Sequence, residues 1–145
     1  MDTSDDLGYL LQHVSTVLAR QSDQVLQEQL GIGFSQFKIL LMVEQKGVLQ
    51  QREIALRLGQ TEASVSRQVK LLLEEGMLTS QVSPNNRRQR ITRLTPKGAR
   101  VLMSATDILN RYHYPVFSKL SDRQQQLLRE LLTVMHQAAC NTVSH

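Results

Sequence analysis

Two short helical patterns joined by a very tight turn constrain this chain more than any other feature. The first, Gln51 to Leu58, has Ile54, Ala55 and Leu58 on one side and stops at Gly59. The second opens with Thr61 as N-cap and reaches about Glu75, with Gly76 as the residue after its C-terminus. Two helices joined by so few residues around a glycine have no room to lie antiparallel, so they cross. That is the helix-turn-helix arrangement, whose second helix enters a DNA major groove by its N-terminal half.

The second helix divides cleanly into two faces. With Val65, Val69 and Leu72 turned inward, a 100° step per residue points Ala63, Arg67 and Lys70 outward and puts Ser64 and Ser66 on the flanks. These residue types suit a groove. Arg67 can donate twice to a guanine edge, Ser64 and Ser66 can bond bases or phosphate, and Ala63 can touch a thymine methyl. Lys70 suits a phosphate, and the helix start at Thr61 offers free backbone N–H groups to another. A plain amphipathic surface helix has the same period; the turn before it and the hairpin after it favour the groove.

After Gly76 the period changes. Met77 to Val82 and Arg90 to Leu94 alternate, and Ser83-Pro84-Asn85-Asn86-Arg87-Arg88 between them reads as a polar turn. The expected element is a β-hairpin with arginines at its tip; Arg87, Arg88 and Arg90 lie on a projecting ribbon narrow enough to reach a minor groove, where negative potential is focused. Charge supports this. The chain is +4 overall, and between Gly76 and Arg100 there are six Lys or Arg and no acid. An ordinary solvated surface intersperses both signs; a one-sign run is the footprint of a polyanion.

Helices are expected on both sides of this unit. Leu7, Leu10, Leu11, Val14, Val17, Leu18, Val25 and Leu26 form one face of a long helix ended by Gly31 and Gly33. Ser35 is the expected N-cap of a second helix, apolar over much of its circumference and therefore the buried centre. Thr95-Pro96 starts a fifth helix running towards Pro115, and Ser121 with Gln124 forms a capping box for a sixth, bearing Leu127, Leu128, Leu131, Leu132 and Met135. The expected fold is mainly α with a small β-hairpin: a winged helix-turn-helix over 31–100, with dimerisation helices at 1–30 and 101–145. The outer helices have apolar stripes that the small central unit has too little surface to cover. A second copy buries them, and a twofold pair sets two recognition helices about one DNA turn apart.

The run Ser64-Val65-Ser66-Arg67-Gln68-Val69 followed by Leu73-Glu74-Glu75-Gly76-Met77-Leu78 resembles the recognition helix of MarR-family winged-helix regulators. Asn86-Arg87-Arg88-Gln89-Arg90-Ile91-Thr92-Arg93-Leu94-Thr95-Pro96-Lys97-Gly98 resembles that family's wing and the start of its next helix. The resemblance implies a homodimer on pseudopalindromic double-stranded DNA, usually a repressor, relieved by a small aromatic or acidic ligand; a cytoplasmic location is expected on a separate ground, the lack of a membrane-spanning run and of a signal peptide. The family's wing has Asp, any residue, then Arg; here Asn86 and Arg88 hold those places, which makes Arg88 the minor-groove candidate.

Other chemistries find little support. No nucleophile–base spacing, phosphate loop or paired acidic site is present, so an enzyme is not expected. A winged helix acting as a protein-docking module is the alternative. His136 and Cys140 share a helix face, but two ligands do not make a zinc site, so no metal or other cofactor is expected. A single cysteine rules out an internal disulfide, leaving Cys140 as a possible crosslink between two copies. No apolar run approaches a membrane span, and Met1 to Asp6 lacks the basic start of a signal peptide. Tyr9, His13 and Tyr112 suit an aromatic carboxylate, although no local motif selects them, and the ligand site stays unassigned.

Overall fold

The computed structural model describes residues 5–47, 50–88 and 90–143, without the side chains of 140–143. The order is α1 (Leu7–Leu30), α2 (Phe34–Lys46), α3 (Gln51–Leu58), α4 (Glu62–Glu74), β1 (Leu78–Val82), β2 (Arg90–Leu94), α5 (Pro96–Phe117) and α6 (Asp122–Val143). It forms two compact units, Met1–Leu109 and Asn110–His145, and the division falls within α5. Among the described residues no helix is long and apolar enough to cross a membrane.

The first unit is built around α2. Ile39, Leu40 and Val43 are buried there, as the apolar circumference of this helix requires. Around them pack Val25 and Leu26 of α1, Ile54 and Ala55 of α3, Val65, Val69 and Leu72 of α4, Leu78 of β1, and Leu102, Ala105, Ile108 and Leu109 of α5. The C-terminal half of α1 therefore belongs to this core. Its N-terminal half leaves Leu7, Leu10, Leu11, Val14 and Val17 exposed.

The cap of α2 departs from expectation. Ser35 lies inside the helix and Gly33 is the N-cap residue. Two other side chains satisfy the first amides: Asp23 of α1 accepts from Phe34 N at 2.9 Å, and Gln36 Oε1 accepts from Gly33 N at 3.0 Å. A carboxylate arriving from another helix does the work of a local cap, which frees the Ser35 hydroxyl. At the other end of the unit, β1 and β2 pair antiparallel with Leu78 opposite Leu94 and Val82 opposite Arg90. Burial fades along this ribbon, from Leu78 at 3% exposed to Val82 at 51%.

The second unit holds the end of α5 and α6. α5 continues through Pro115 to Phe117 rather than stopping before the proline. A proline this close to a helix end deletes one ladder bond and leaves the last turn intact; Ser118 N still donates to Tyr114 O at 2.8 Å. The expected capping box before α6 is present, with Ser121 N donating to Gln124 Oε1 at 2.9 Å and Gln124 N to Ser121 Oγ at 3.2 Å. Leu127, Leu128, Leu131, Leu132 and Met135 of α6 are all exposed. The Cys140 side chain and His145 lie outside the described residues, as does Gln89.

Candidate nucleic-acid interface

Thr61 fixes where α4 begins. Its backbone is extended, at φ −73° and ψ 153°, and its hydroxyl accepts from Ser64 N at 3.1 Å. Gly59 makes the turn possible: at φ +63° it takes the left-handed conformation that side-chain-bearing residues avoid. From that start the helix presents two faces. Val65 and Leu72 are fully buried and Val69 nearly so. Thr61, Ala63, Ser66, Arg67 and Lys70 are exposed, and Ser64 is half-buried on the flank. The 100° wheel is obeyed residue by residue.

The outward side chains have few partners in the protein. Lys70 stands 4.0 Å from Glu74, an exposed pair that water screens heavily. The Arg67 guanidinium forms no ion pair among the described residues. An exposed arginine without a carboxylate keeps its donors for a ligand, and a guanine edge takes two of them.

Sequence reasoning missed two residues behind this face. Gln60, in the turn, donates from Nε2 to Ser35 Oγ of α2 at 2.7 Å, while Ser64 Oγ lies 3.5 Å from Gln60 Oε1. The amide thus ties the first turn of α4 to the first turn of α2. The only signal in the sequence was a polar residue in a very tight turn, which any turn would accept.

In the wing, Asn86 Oδ1 accepts from Arg88 N at 3.0 Å, and Ser83 Oγ accepts from Asn85 N at 3.3 Å. Asn86 therefore shapes the backbone of the turn through a neutral carbonyl, in the place where an aspartate is usual. Arg87 and Arg88 are in the turn and exposed. Arg90 is the first residue of β2, where the second alternating stretch was expected to begin, and its guanidinium lies 3.5 Å from Ser80 Oγ across the ribbon. The turn itself carries Arg87 and Arg88.

Below the wing, the start of α5 grips the end of α4. Thr95 Oγ1 donates to Gly76 O at 2.5 Å and accepts from Gly98 N at 3.0 Å. Lys97 Nζ donates to Glu75 O at 2.7 Å. Gly98 is required by closeness: a Cβ there would collide with the Met77 carbonyl. The ligand candidates are less gathered. Tyr9 and His13 stack at 5.5 Å in α1, and Tyr112 is exposed in the second unit. Burial lowers the pKa of His113 and that of Lys38, whose ammonium sits 4.9 Å from the Phe34 ring centre. No cluster of three potential metal ligands occurs among the described residues.

A capped helix with a polar outer face after a glycine turn, followed by an arginine-tipped hairpin, defines a winged helix-turn-helix protein. Residues 30–89 match the model described as MarR family. That stretch runs from the last residue of α1 into the wing, and over it the chain is similar to the MarR family. It is 23% identical over 137 residues to a putative transcriptional regulatory protein for the hcr operon of Thauera aromatica, covering 94% of this chain and 82% of that protein. Its fold is shared with CouR from Rhodococcus jostii RHA1 bound to p-coumaroyl-CoA, at a TM-score of 0.80 and 22% identity over 93% of this chain and 94% of that one. It is also shared with a mutant MarR from E. coli complexed with operator DNA, at a TM-score of 0.75 and 21% identity over 92% and 96% of the two chains.

Proposed function

We propose that this chain is a sequence-specific regulator of transcription that binds double-stranded DNA as a homodimer in the cytoplasm, represses from a pseudopalindromic operator, and is released by a small aromatic or acidic ligand. The observation that carries the reading is the outer face of α4. Ala63, Ser66, Arg67 and Lys70 are exposed along one side of a helix whose other side is anchored by Val65, Val69 and Leu72. Such a helix is stable without its outer face, which is thereby left to a ligand.

Each side chain has a role in this reading. Arg67 reads a guanine in the major groove, Ala63 and Ser66 contact neighbouring base edges, and Thr61, Ser64 and Lys70 meet the backbone or flanking bases. Arg88 enters the minor groove from the wing, while Arg87 and Arg90 add phosphate attraction. Residues 31–100 form the DNA-binding part, and 1–30 with 101–145 supply the dimer contact. The E. coli MarR complex with operator DNA and the CouR complex with p-coumaroyl-CoA support the reading by analogy of fold.

Selection of bound fragments from a random duplex library tests it. The expected product is a motif with two inverted half-sites about 10 base pairs apart, centre to centre. Recovery of no motif, together with no salt-sensitive binding to random duplex, would reject it in favour of a protein-docking module.

A further inference from the structure

Helix α4 ends against a set of contacts that the DNA-binding reading does not use. The chain turns back at Gly76, at φ +73°. Three successive carbonyls at that turn are then taken by the first residues of the next helix. Glu75 O accepts from Lys97 Nζ at 2.7 Å and Gly76 O from Thr95 Oγ1 at 2.5 Å. Met77 O accepts from Thr95 N at 3.1 Å. Thr95 Oγ1 also accepts from Gly98 N, so one hydroxyl both caps α5 and holds the end of α4. The bare Gly98 lets the two backbones close to this distance.

These contacts have a direction. Carbonyls at a helix C-terminus carry the negative end of the helix dipole, and an ammonium there is attracted to them. α4 has no basic residue of its own in its last turn. Lys97 supplies that charge from 22 residues further along the chain. Its side chain is directed at Glu75 O, at the end of α4 opposite Thr61 and Arg67. That bond uses one of its three N–H donors and holds the ammonium at this end, away from the half of the helix that carries Ala63 and Arg67.

We propose that Thr95 and Lys97 are positioning residues that fix the angle at which α4 meets DNA, and that Lys97, although it belongs to the acid-free basic run, does not contact phosphate. The inference rests on the DNA-binding reading and deepens it. The basic residues of this segment then divide between two roles. Arg87 and Arg88 face the ligand, and Lys97 braces the helix that reads it.

A salt titration distinguishes bracing from contact. Each phosphate contact adds about 0.9 to the slope of log binding constant against log salt. A brace adds nothing to that slope, yet its loss lowers affinity at every salt concentration. The probe is a fluorescein-labelled duplex carrying the selected motif, read by anisotropy with the full-length protein. Lys97→Met is expected to weaken binding about two- to fivefold per protomer, the scale of a helix-terminus charge, with the salt slope of the parent protein. Lys97→Arg is expected to restore most of the loss. Thr95→Ser keeps the bridging hydroxyl and is expected to bind like the parent, whereas Thr95→Val loses affinity. Thermal melts confirm that each variant is folded at the assay temperature. A slope reduced by about 0.9 per protomer in Lys97→Met would make Lys97 a phosphate contact and overturn the proposal. Unchanged affinity in both Lys97→Met and Thr95→Val would overturn it equally. A parent protein that binds no duplex would instead remove the DNA-binding reading beneath it.

Discussion

Arg67 and Arg88 make different predictions because they sit in different fields. Arg67 projects from a helix that a major groove admits, where a bidentate arginine–guanine pair discriminates by about 1–3 kcal/mol. Arg67→Ala is expected to weaken binding by that amount and to flatten the preference at one base pair per half-site, checked on duplexes altered singly at each position. Arg88 projects from a turn, where potential rather than hydrogen-bond pattern is read. Arg88→Ala is expected to lower affinity on all sequences and reduce the salt slope by about 1 per protomer. Asn86 shapes the wing through the Arg88 backbone N–H, so Asn86→Ala loosens the turn where Asn86→Asp keeps the acceptor. His113 carries a pH prediction. Burial lowers its pKa below the usual 6.5, so the folded protein holds it neutral where the unfolded chain takes up a proton. Its contribution is full above pH 6.5, is lost as pH falls below it, and levels off beneath the folded pKa. His113→Phe is expected to remove that part of the slope in urea unfolding followed from pH 7.5 to 5. At this scale the sequence disclosed the residues that face outward by period, such as Arg67. It concealed Gln60 and Ser35, because their bond joins positions 25 apart and no local pattern encodes it.

Among elements, those with local signals were legible and those fixed from a distance were not. Thr61 as the N-cap of α4 and the Ser121–Gln124 box before α6 follow from side chains bonding amides three residues away. Thr61→Ala is expected to cost about 1 kcal/mol of stability, measured by denaturant unfolding, and to fray the turn that carries Ala63 and Ser64. Ser35 does not cap α2, because Asp23, eleven residues before Phe34, supplies the acceptor for the Phe34 N–H. α5 passes Pro115 because only its last turn remains beyond it. Gly98 shows the same limit from the other side. Its position after Thr95-Pro96-Lys97 resembles a family pattern, but its physical cause is the Met77 carbonyl, which only tertiary structure brings near. Gly98→Ala must push α5 away from the end of α4. The expected cost is about 1–3 kcal/mol, with weaker DNA binding at temperatures where the variant is still folded.

At the scale of the whole molecule, the apolar surface that one chain leaves open calls for a second. Apart from Gln125, the residues of α6 whose burial is described are all exposed, Leu127 and Leu131 each by more than half. In α1, Leu7, Tyr9, Leu10, Leu11, Val14 and Val17 are also open to solvent. Single exposed leucines are ordinary, but stripes on two long helices are not, and monomers seldom leave patches of this kind uncovered. Burial at about 25 cal/mol per Å² makes such stripes the natural seat of association, and a twofold pair covers the same stripe on both copies. The sequence showed these stripes through their helical period, but not how much of each the chain covers by itself. Val25 and Leu26, for example, turn out to belong to the core of the first unit. The expected mass in sedimentation is twice the 16.5 kDa of the chain. Leu128→Glu with Leu131→Glu places two charges three residues apart on the α6 stripe, and each would have to be desolvated in the pair. That variant is expected to sediment as a monomer and to lose most of its preference for a two-half-site duplex over a single half-site, because each winged helix-turn-helix then binds alone. A variant that stays dimeric would move the association surface away from α6.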